Sequence, residues 1–215
     1  MIRNDKIANA DKIDAVIFDW GGVITNIDYY ASAKYLTKYG LEDIEGFFSK
    51  KKQYPFFDAF EIGQLSAQGF RDEVKKMIPK PISNTEIDYA WSLILEDTPI
   101  ERIKLIQKVK KQYRTFLLSN TNILHYEHLR EKIKKEHDID MFKECFEYTY
   151  LSHAINRRKP NADIFEYVMN TSDLIPEKTL FIDDSPQHVE AARSMGINAY
   201  HLETTKESIL DLFEE

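Results

Sequence analysis

The stretch Ala15-Val16-Ile17-Phe18-Asp19-Trp20-Gly21-Gly22 constrains this chain more than any other. The run from Ile13 to Phe18, apolar except for Asp14, has the length of a strand, and it meets an acidic residue and then a glycine pair, where the chain must turn. Asp19 is therefore predicted at the carboxyl end of a buried strand. In open α/β sheets ligands bind at that end. A carboxylate held there in a dry cleft can act as a nucleophile or a metal ligand, although an ordinary turn aspartate has the same local pattern.

The 215 residues suffice for one α/β core carrying an insertion. With 29 basic against 36 acidic residues the net charge is −7, which argues against a nucleic-acid partner or an anionic membrane surface. An anionic substrate would need local positive charge. The single cysteine, Cys145, rules out an internal disulfide and a cysteine zinc site, and reads as a small packed hydrophobe in a reducing compartment. No apolar run has the length of a membrane span and the first twelve residues are polar, so the expected location is the cytoplasm.

Between Tyr29 and Leu95 the periodicity is helical, with segments expected at Tyr29–Tyr39, Glu42–Lys51, Ala67–Met77 and Asn84–Leu95. Ser66 and Asn84 sit where helix caps belong. Tyr54, Phe56, Phe57 and Phe60 read as the apolar core of this bundle. A helical unit over 28–96, inserted into an α/β core formed by 1–27 and 97–215, would be rooted beside Asp19 and able to cover it.

From Pro99 onward helices and strands alternate as in a parallel sheet. Helices are expected at Ile100–Lys111, Ala162–Met169, Gln187–Met195 and Lys206–Phe213, and strands at Thr115–Leu118, Cys145–Thr149, Thr179–Ile182 and Asn198–His201. Thr115–Leu118 runs into Ser119-Asn120-Thr121-Asn122, where hydroxyl and amide groups at a helix start can cap the helix or seat a phosphate. His125 and His128 read as solvated helix-face residues rather than a metal pair. The loop Arg157-Arg158-Lys159-Pro160 is the densest positive patch of the chain. Thr179–Ile182 ends in Asp183-Asp184, two adjacent carboxylates for which a hard divalent cation is the simplest neutraliser.

In a parallel sheet these four loops open on one edge and bring Asp19, Ser119, Lys159, Asp183 and Asp184 together. In their order and spacing, FDWGG, LLSN, RKP and FIDDS resemble the four motifs of the haloacid dehalogenase superfamily hydrolases over residues 13–201. The likeness extends to the subgroup with a helical cap between the first two motifs, since Phe60-Glu61-Ile62-Gly63-Gln64-Leu65-Ser66 is similar to the helix-turn of such caps. Within that subgroup it is greatest to bacterial phosphatases of small phosphorylated compounds, including sugar 1-phosphates. The resemblance implies a Rossmann-like three-layer parallel-sheet core, with Asp19 as nucleophile. It further implies Mg²⁺ held by Asp19, the Gly21 carbonyl and Asp183, with Asp184 a ligand or an anchor behind it. Ser119 and Asn120 would bind the transferred phosphoryl group, and Lys159 would counter its charge.

Phosphate esters repel nucleophiles, so a metal ion and a lysine that spread their charge suit attack by Asp19, release of the alcohol and hydrolysis of an aspartyl phosphate. One position departs from the family pattern. Two residues after the nucleophile, where these phosphatases carry a general-acid aspartate, stands Gly21. Losing a positioned acid forfeits ~10² to 10⁴ in rate, which predicts a slow enzyme or one biased toward activated esters such as sugar 1-phosphates, or else a protein that binds phosphorylated metabolites or a protein partner with little or no catalysis. A metal-independent dehalogenase is disfavoured by the Asp183–Asp184 pair. Tyr29, Tyr30, Glu61 and Gln64 are the residues offered for substrate choice, without a placement.

Overall fold

A computed structural model describes residues 1–3, 5–48 and 54–214. Five parallel strands form one sheet in the order β3-β2-β1-β4-β5, with β1 at Ala15–Phe18, β2 at Arg114–Ser119, β3 at Tyr148–Leu151, β4 at Thr179–Asp183 and β5 at Asn198–His201. The central strand is buried along its whole length. Alternation divides its side chains between the two faces: Val16 and Phe18 join one apolar cluster, with Ile103, Ile106 and Leu129. Ala15 and Ile17 join the other, with Ile164, Phe165 and Val168. Such a sheet must be covered on both faces, and helices from the crossovers cover it. These are α6 (Ile100–Val109) and α7 (Ile123–His137) on the first face and α10 (Ala162–Thr171) on the second, while α11 (Pro186–Ser194) connects β4 to β5.

Phe18 pairs in register with Leu117 of β2 and Ile182 of β4, so the residues that follow each strand emerge side by side at one edge. This is how a parallel ladder turns three loops far apart in sequence into neighbours.

Between β1 and α6 the described residues form five α-helices, α1 (Ala31–Leu36), α2 (Ile44–Phe47), α3 (Pro55–Glu61), α4 (Ala67–Lys76) and α5 (Asn84–Ser92). They bury a separate aromatic cluster centred on Phe70, whose ring stacks on Phe60 at 4.4 Å and meets Trp91 at 5.0 Å. Each fully buried aromatic ring of this kind contributes ~1.5 to 3 kcal/mol over exposure. The segment leaves and rejoins the sheet through two antiparallel linkers: Asn26 N–H donates to Asp97 O at 3.0 Å and Asp28 N–H to Ile94 O at 3.0 Å.

Several boundaries differ from those read in the sequence. The expected strand Cys145–Thr149 lies at Tyr148–Leu151 instead, because Cys145 and Phe146 follow the short helix α8 (Met141–Glu144) and are spent packing against α6 and the sheet. The closing helix expected at Lys206–Phe213 is a single 3-10 turn, Ile209–Leu212, capped by Ser208. Ser66 does cap α4, but Ser83 rather than Asn84 caps α5. Phe57 and Phe60 are core, whereas Tyr54 is exposed. Of the segment expected at Glu42–Lys51, α2 occupies Ile44–Phe47, and Ser49 to Lys51 lie outside the described residues.

Candidate active site

Four loops meet at the carboxyl edge. Asp19 continues β1, its N–H donating to Ile182 O at 2.9 Å, and the chain then folds back so that Gly22 N–H reaches Thr25 O at 2.8 Å. Gly22 has φ +79, and a Cβ there would stand 2.2 Å from Asp184 Oδ2. Only glycine combines that backbone with so close an approach of the β4 loop. Gly21 has no such backbone requirement; a Cβ would meet Ile27 Cγ1 at 3.3 Å.

The centre of the site is Lys159. Its side chain is wholly buried, and Nζ donates to Asp19 Oδ1 at 2.8 Å, Asp183 Oδ2 at 2.5 Å and Leu118 O at 2.9 Å. All three ammonium hydrogens are thus committed, as a buried cation demands. The main chain of Lys159 is pinned to the β2 loop, where the Asn120 amide donates to Lys159 O at 2.8 Å and accepts from Lys159 N–H at 2.9 Å. The Asn120 side chain is therefore spent on holding this loop. Ser119 is buried beside it, and Asn122 caps α7 by accepting from His125 N–H at 3.0 Å.

Asp183 has zero exposure, and Asp19, Asp183 and Asp184 can each present an oxygen within 4.8 Å of the others. Burial and the nearby Asp183 push the Asp19 carboxyl up to about 7, against the pull of Lys159. Burial works against Asp183 too, but Lys159 and His188 hold its carboxyl below the usual carboxylate range. His188, in the first turn of α11, lies 3.0 Å from Asp183 Oδ1 through Nδ1, and burial holds its imidazole below the usual histidine value. Three carboxylates against one lysine leave two negative charges in a mostly dry pocket. That charge and an all-oxygen donor set fit a hard divalent cation such as Mg²⁺.

A cavity of about 480 Å³ opens over this cluster and extends beneath the helical segment. Asp19, Gly21, Ser119, Asn120, Lys159 and Asp184 all line it. From the helical side come Tyr29, Phe48, Asp58, Glu61 and Ile94. Arg158, adjacent to Lys159, reaches across to pair with Asp58 and, at 3.0 Å, with Glu61 Oε2. Ser152, which opens α9 (Ser152–Ile155), fastens the same end of α3: its hydroxyl accepts from Thr121 N–H at 2.8 Å and lies 2.6 Å from Glu61 O.

Asp19, Ser119, Asn120, Lys159, Asp183 and Asp184 thus come together around one cavity, with Gly21 in its wall. Of the four residues offered for substrate choice, Tyr29 and Glu61 line the cavity; Tyr30 and Gln64 are exposed outside it. His128 is exposed, but His125 is not the solvated residue expected: it is 7% exposed, its ring stacked on Trp91 at 4.6 Å. The spacing His125-Leu129-Ile133, one residue per turn on the buried face of α7, carried that signal. Sequence reading also missed His188, whose signal is its place one helical turn beyond the Asp-Asp loop. The pairing of Asp58 and Glu61 with Arg158 has no sequence signal, since about a hundred residues separate them.

A family model for haloacid dehalogenase-like hydrolases matches residues 13–196. D-ribitol-5-phosphate phosphatase of Bacteroides thetaiotaomicron is 28% identical over 193 residues, 89% of this chain and 92% of that protein. The phosphorylated carbohydrates phosphatase of Thermotoga maritima is 24% identical over 188 residues, 86% of this chain and 82% of that one. A crystal structure of a HAD family enzyme from Bacteroides thetaiotaomicron, in complex with magnesium and inorganic phosphate, superposes with a TM-score of 0.85 at 31% identity, covering 94% of this chain and all of that one.

Proposed function

This chain belongs to the haloacid dehalogenase-like hydrolase family, and from that premise we propose that it is a Mg²⁺-dependent phosphatase of small phosphorylated metabolites, chiefly phosphorylated sugars and polyols. The observation that carries the proposal is the buried triad in which Lys159 Nζ bridges Asp19 and Asp183 beneath a cavity large enough for a five- or six-carbon phosphate ester. The substrate class is supported by similarity to phosphatases of ribitol 5-phosphate and of phosphorylated carbohydrates.

In this proposal Asp19, the Gly21 carbonyl, Asp183 and Asp184 hold Mg²⁺. When bound, the ion neutralises phosphoryl charge and polarises the phosphorus centre. The Ser119 hydroxyl and the Asn120 main chain bind phosphoryl oxygens, because the Asn120 side chain is engaged by Lys159. Lys159 counters the charge of the transferred group and orients the Asp19 carboxylate. Asp19 Oδ attacks phosphorus in line; the bond from phosphorus to the ester oxygen breaks, the departing alkoxide takes a proton from solvent water and leaves as the alcohol, and an aspartyl phosphate forms. Water attack on that phosphorus frees phosphate and returns the Asp19 carboxylate. Residues 1–27 and 97–215 act as the catalytic core, and 28–96 as the cap that closes the cavity and selects the ester. The setting proposed is the cytoplasm; among the described residues no helix is long and apolar enough to cross a membrane.

Gly21 leaves the departing oxygen without a side-chain acid at the position two residues beyond Asp19. From this we infer a bias toward esters whose alcohol leaves readily, sugar 1-phosphates among them. Ribitol 5-phosphate is an unactivated ester, so a panel of both kinds tests the bias directly. Phosphate release should be measured from a sugar 1-phosphate, ribitol 5-phosphate and an aryl phosphate, with Mg²⁺ or with chelator, for the wild type and Asp19→Asn. Metal-dependent release that Asp19→Asn abolishes is the expected result. No release from any ester would overturn the phosphatase assignment, and equal turnover of all three would remove the bias alone.

A further inference from the structure

His125 lies in the wall of the same cavity, is not one of the carboxylate group Asp19, Asp183 and Asp184, and nothing in the proposed chemistry uses it. Every feature of its surroundings fixes the ring. It stacks on Trp91 with 16° between the planes, and its main-chain N–H donates to Asn122 Oδ1. That same oxygen accepts from Trp91 Nε1 at 3.3 Å, locking the stacking partner as well. Nε2 lies 3.0 Å from Trp91 O.

The last contact settles the tautomer. A carbonyl oxygen can only accept, so Nε2 carries the hydrogen, and Nδ1 of a neutral ring is left as a bare lone pair. Burial favours that neutral form, pushing the imidazole down to about 3. Among the described residues Nδ1 has no hydrogen-bond partner, although the residue is only 7% exposed and the ring borders the cavity. The same wall carries apolar Ile94, Leu95 and Leu129 and polar but uncharged Thr121 and Asn122. A rigid, uncharged acceptor is suited to a ligand donor that carries no charge, since it offers no counter-charge to a cationic one.

We propose that His125 is a specificity-determining residue that accepts a hydrogen bond from a substrate hydroxyl through Nδ1, and so selects polyol and sugar phosphates over esters with a bare hydrocarbon chain. The inference rests on the phosphatase assignment and adds to it the group that reads the alcohol half of the ester. The reacting phosphoryl group is not involved. Selection therefore acts through substrate affinity, and KM rather than kcat should carry the effect.

The test compares kcat/KM for ribitol 5-phosphate with that for pentyl phosphate, which has the same chain length and no hydroxyls. The ratio of the two is independent of how much of a variant is folded. In His125→Phe, which keeps an aromatic ring against Trp91 but has no acceptor, the ratio should fall on the order of 10- to 100-fold, the equivalent of one lost buried hydrogen bond, through a higher KM for the polyol ester. In His125→Gln, whose amide oxygen can accept, part of the ratio should return. A ratio preserved in His125→Phe would overturn the inference while leaving the phosphatase assignment intact, and so would a His125→Gln variant indistinguishable from His125→Phe. A wild type that releases phosphate from neither ester would overturn this inference, and the assignment falls with it only if the sugar 1-phosphate and the aryl phosphate are left intact as well.

Discussion

The sheet edge and the helical segment above it face the same cavity, yet they are held in opposite ways. At the edge the fixed parts are polar. Lys159, Asp19 and Asp183 are buried, and their placement follows from strand register and from hydrogen bonds between loops. In the helical segment the fixed parts are apolar: Phe57, Phe60, Phe70 and Trp91 interlock, while its polar contributions to the cavity, Asp58 and Glu61, are tied to the core by Arg158. Chemistry is thus set by backbone topology, and cavity shape by side-chain packing. A substitution in one region should therefore read out differently from one in the other.

The sharpest way to break this contrast is Asp19→Asn. It should lower phosphate release by ~10⁴-fold or more while the protein stays folded, since the proposed nucleophile is lost but the shape is kept. A residual rate near that of the wild type would show that the edge does not carry the chemistry. Next in size is Lys159→Met, which removes the one cation among three carboxylates and leaves buried charge uncompensated. Unfolding in urea should show a loss of ~3 to 5 kcal/mol, partly restored by Mg²⁺, together with loss of turnover. Phe70→Ala in the helical segment should destabilise by a similar ~3 to 5 kcal/mol, but Mg²⁺ should restore none of it, and kcat per folded molecule should change far less than KM. If Mg²⁺ rescued Phe70→Ala as well as Lys159→Met, the two regions would not be separable.

The smallest effect is a pH dependence. With its carboxyl raised to about 7, metal-free Asp19 holds its proton in the folded state above the pH at which the unfolded chain releases it. Its contribution to stability is complete below about pH 4 and is lost as pH rises to about 7, with a slope of up to ~1.4 kcal/mol per pH unit. Asp183, held low, contributes nothing variable in that window. His125 titrates in the opposite sense there, so the quantity to follow is the difference between wild type and Asp19→Asn in chelator, by thermal or urea unfolding. Asp19→Asn should match the wild type near pH 4 and be the more stable above pH 7, and Mg²⁺ should abolish that advantage. An advantage independent of pH would mean that Asp19 is not burdened by its neighbours.

Much of the edge is legible in the amino-acid sequence, and for a physical reason. A buried parallel strand is a short apolar run, and the first polar residue after it marks the carboxyl end, so Asp19, Ser119 and Asp183 can be placed within a residue. The edge strand β3 is harder. Cys145 and Phe146 are as apolar as any strand, but they pack after a short helix, and the pairing with β2 begins only at Tyr148. The terminal turn at Ile209–Leu212 keeps its apolar period without the length that makes an α-helix. His125 misleads because histidine suggests solvent, although its spacing from Leu129 and Ile133 points inward.

By itself, then, the order of apolar runs and the polar residues that end them determined the sheet, the edge on which the loops open and the family to which those loops belong. Only the tertiary structure decided the rest. It put Lys159 at zero exposure, turned the Asn120 side chain away to hold the lysine's own loop, and closed Arg158 onto Asp58 and Glu61. It also selected the His125 tautomer through the Trp91 carbonyl. Strand ends are encoded locally, by where hydrophobicity stops. Burial of a charge and the choice of a proton's seat depend on partners distant in the chain, which no local pattern contains.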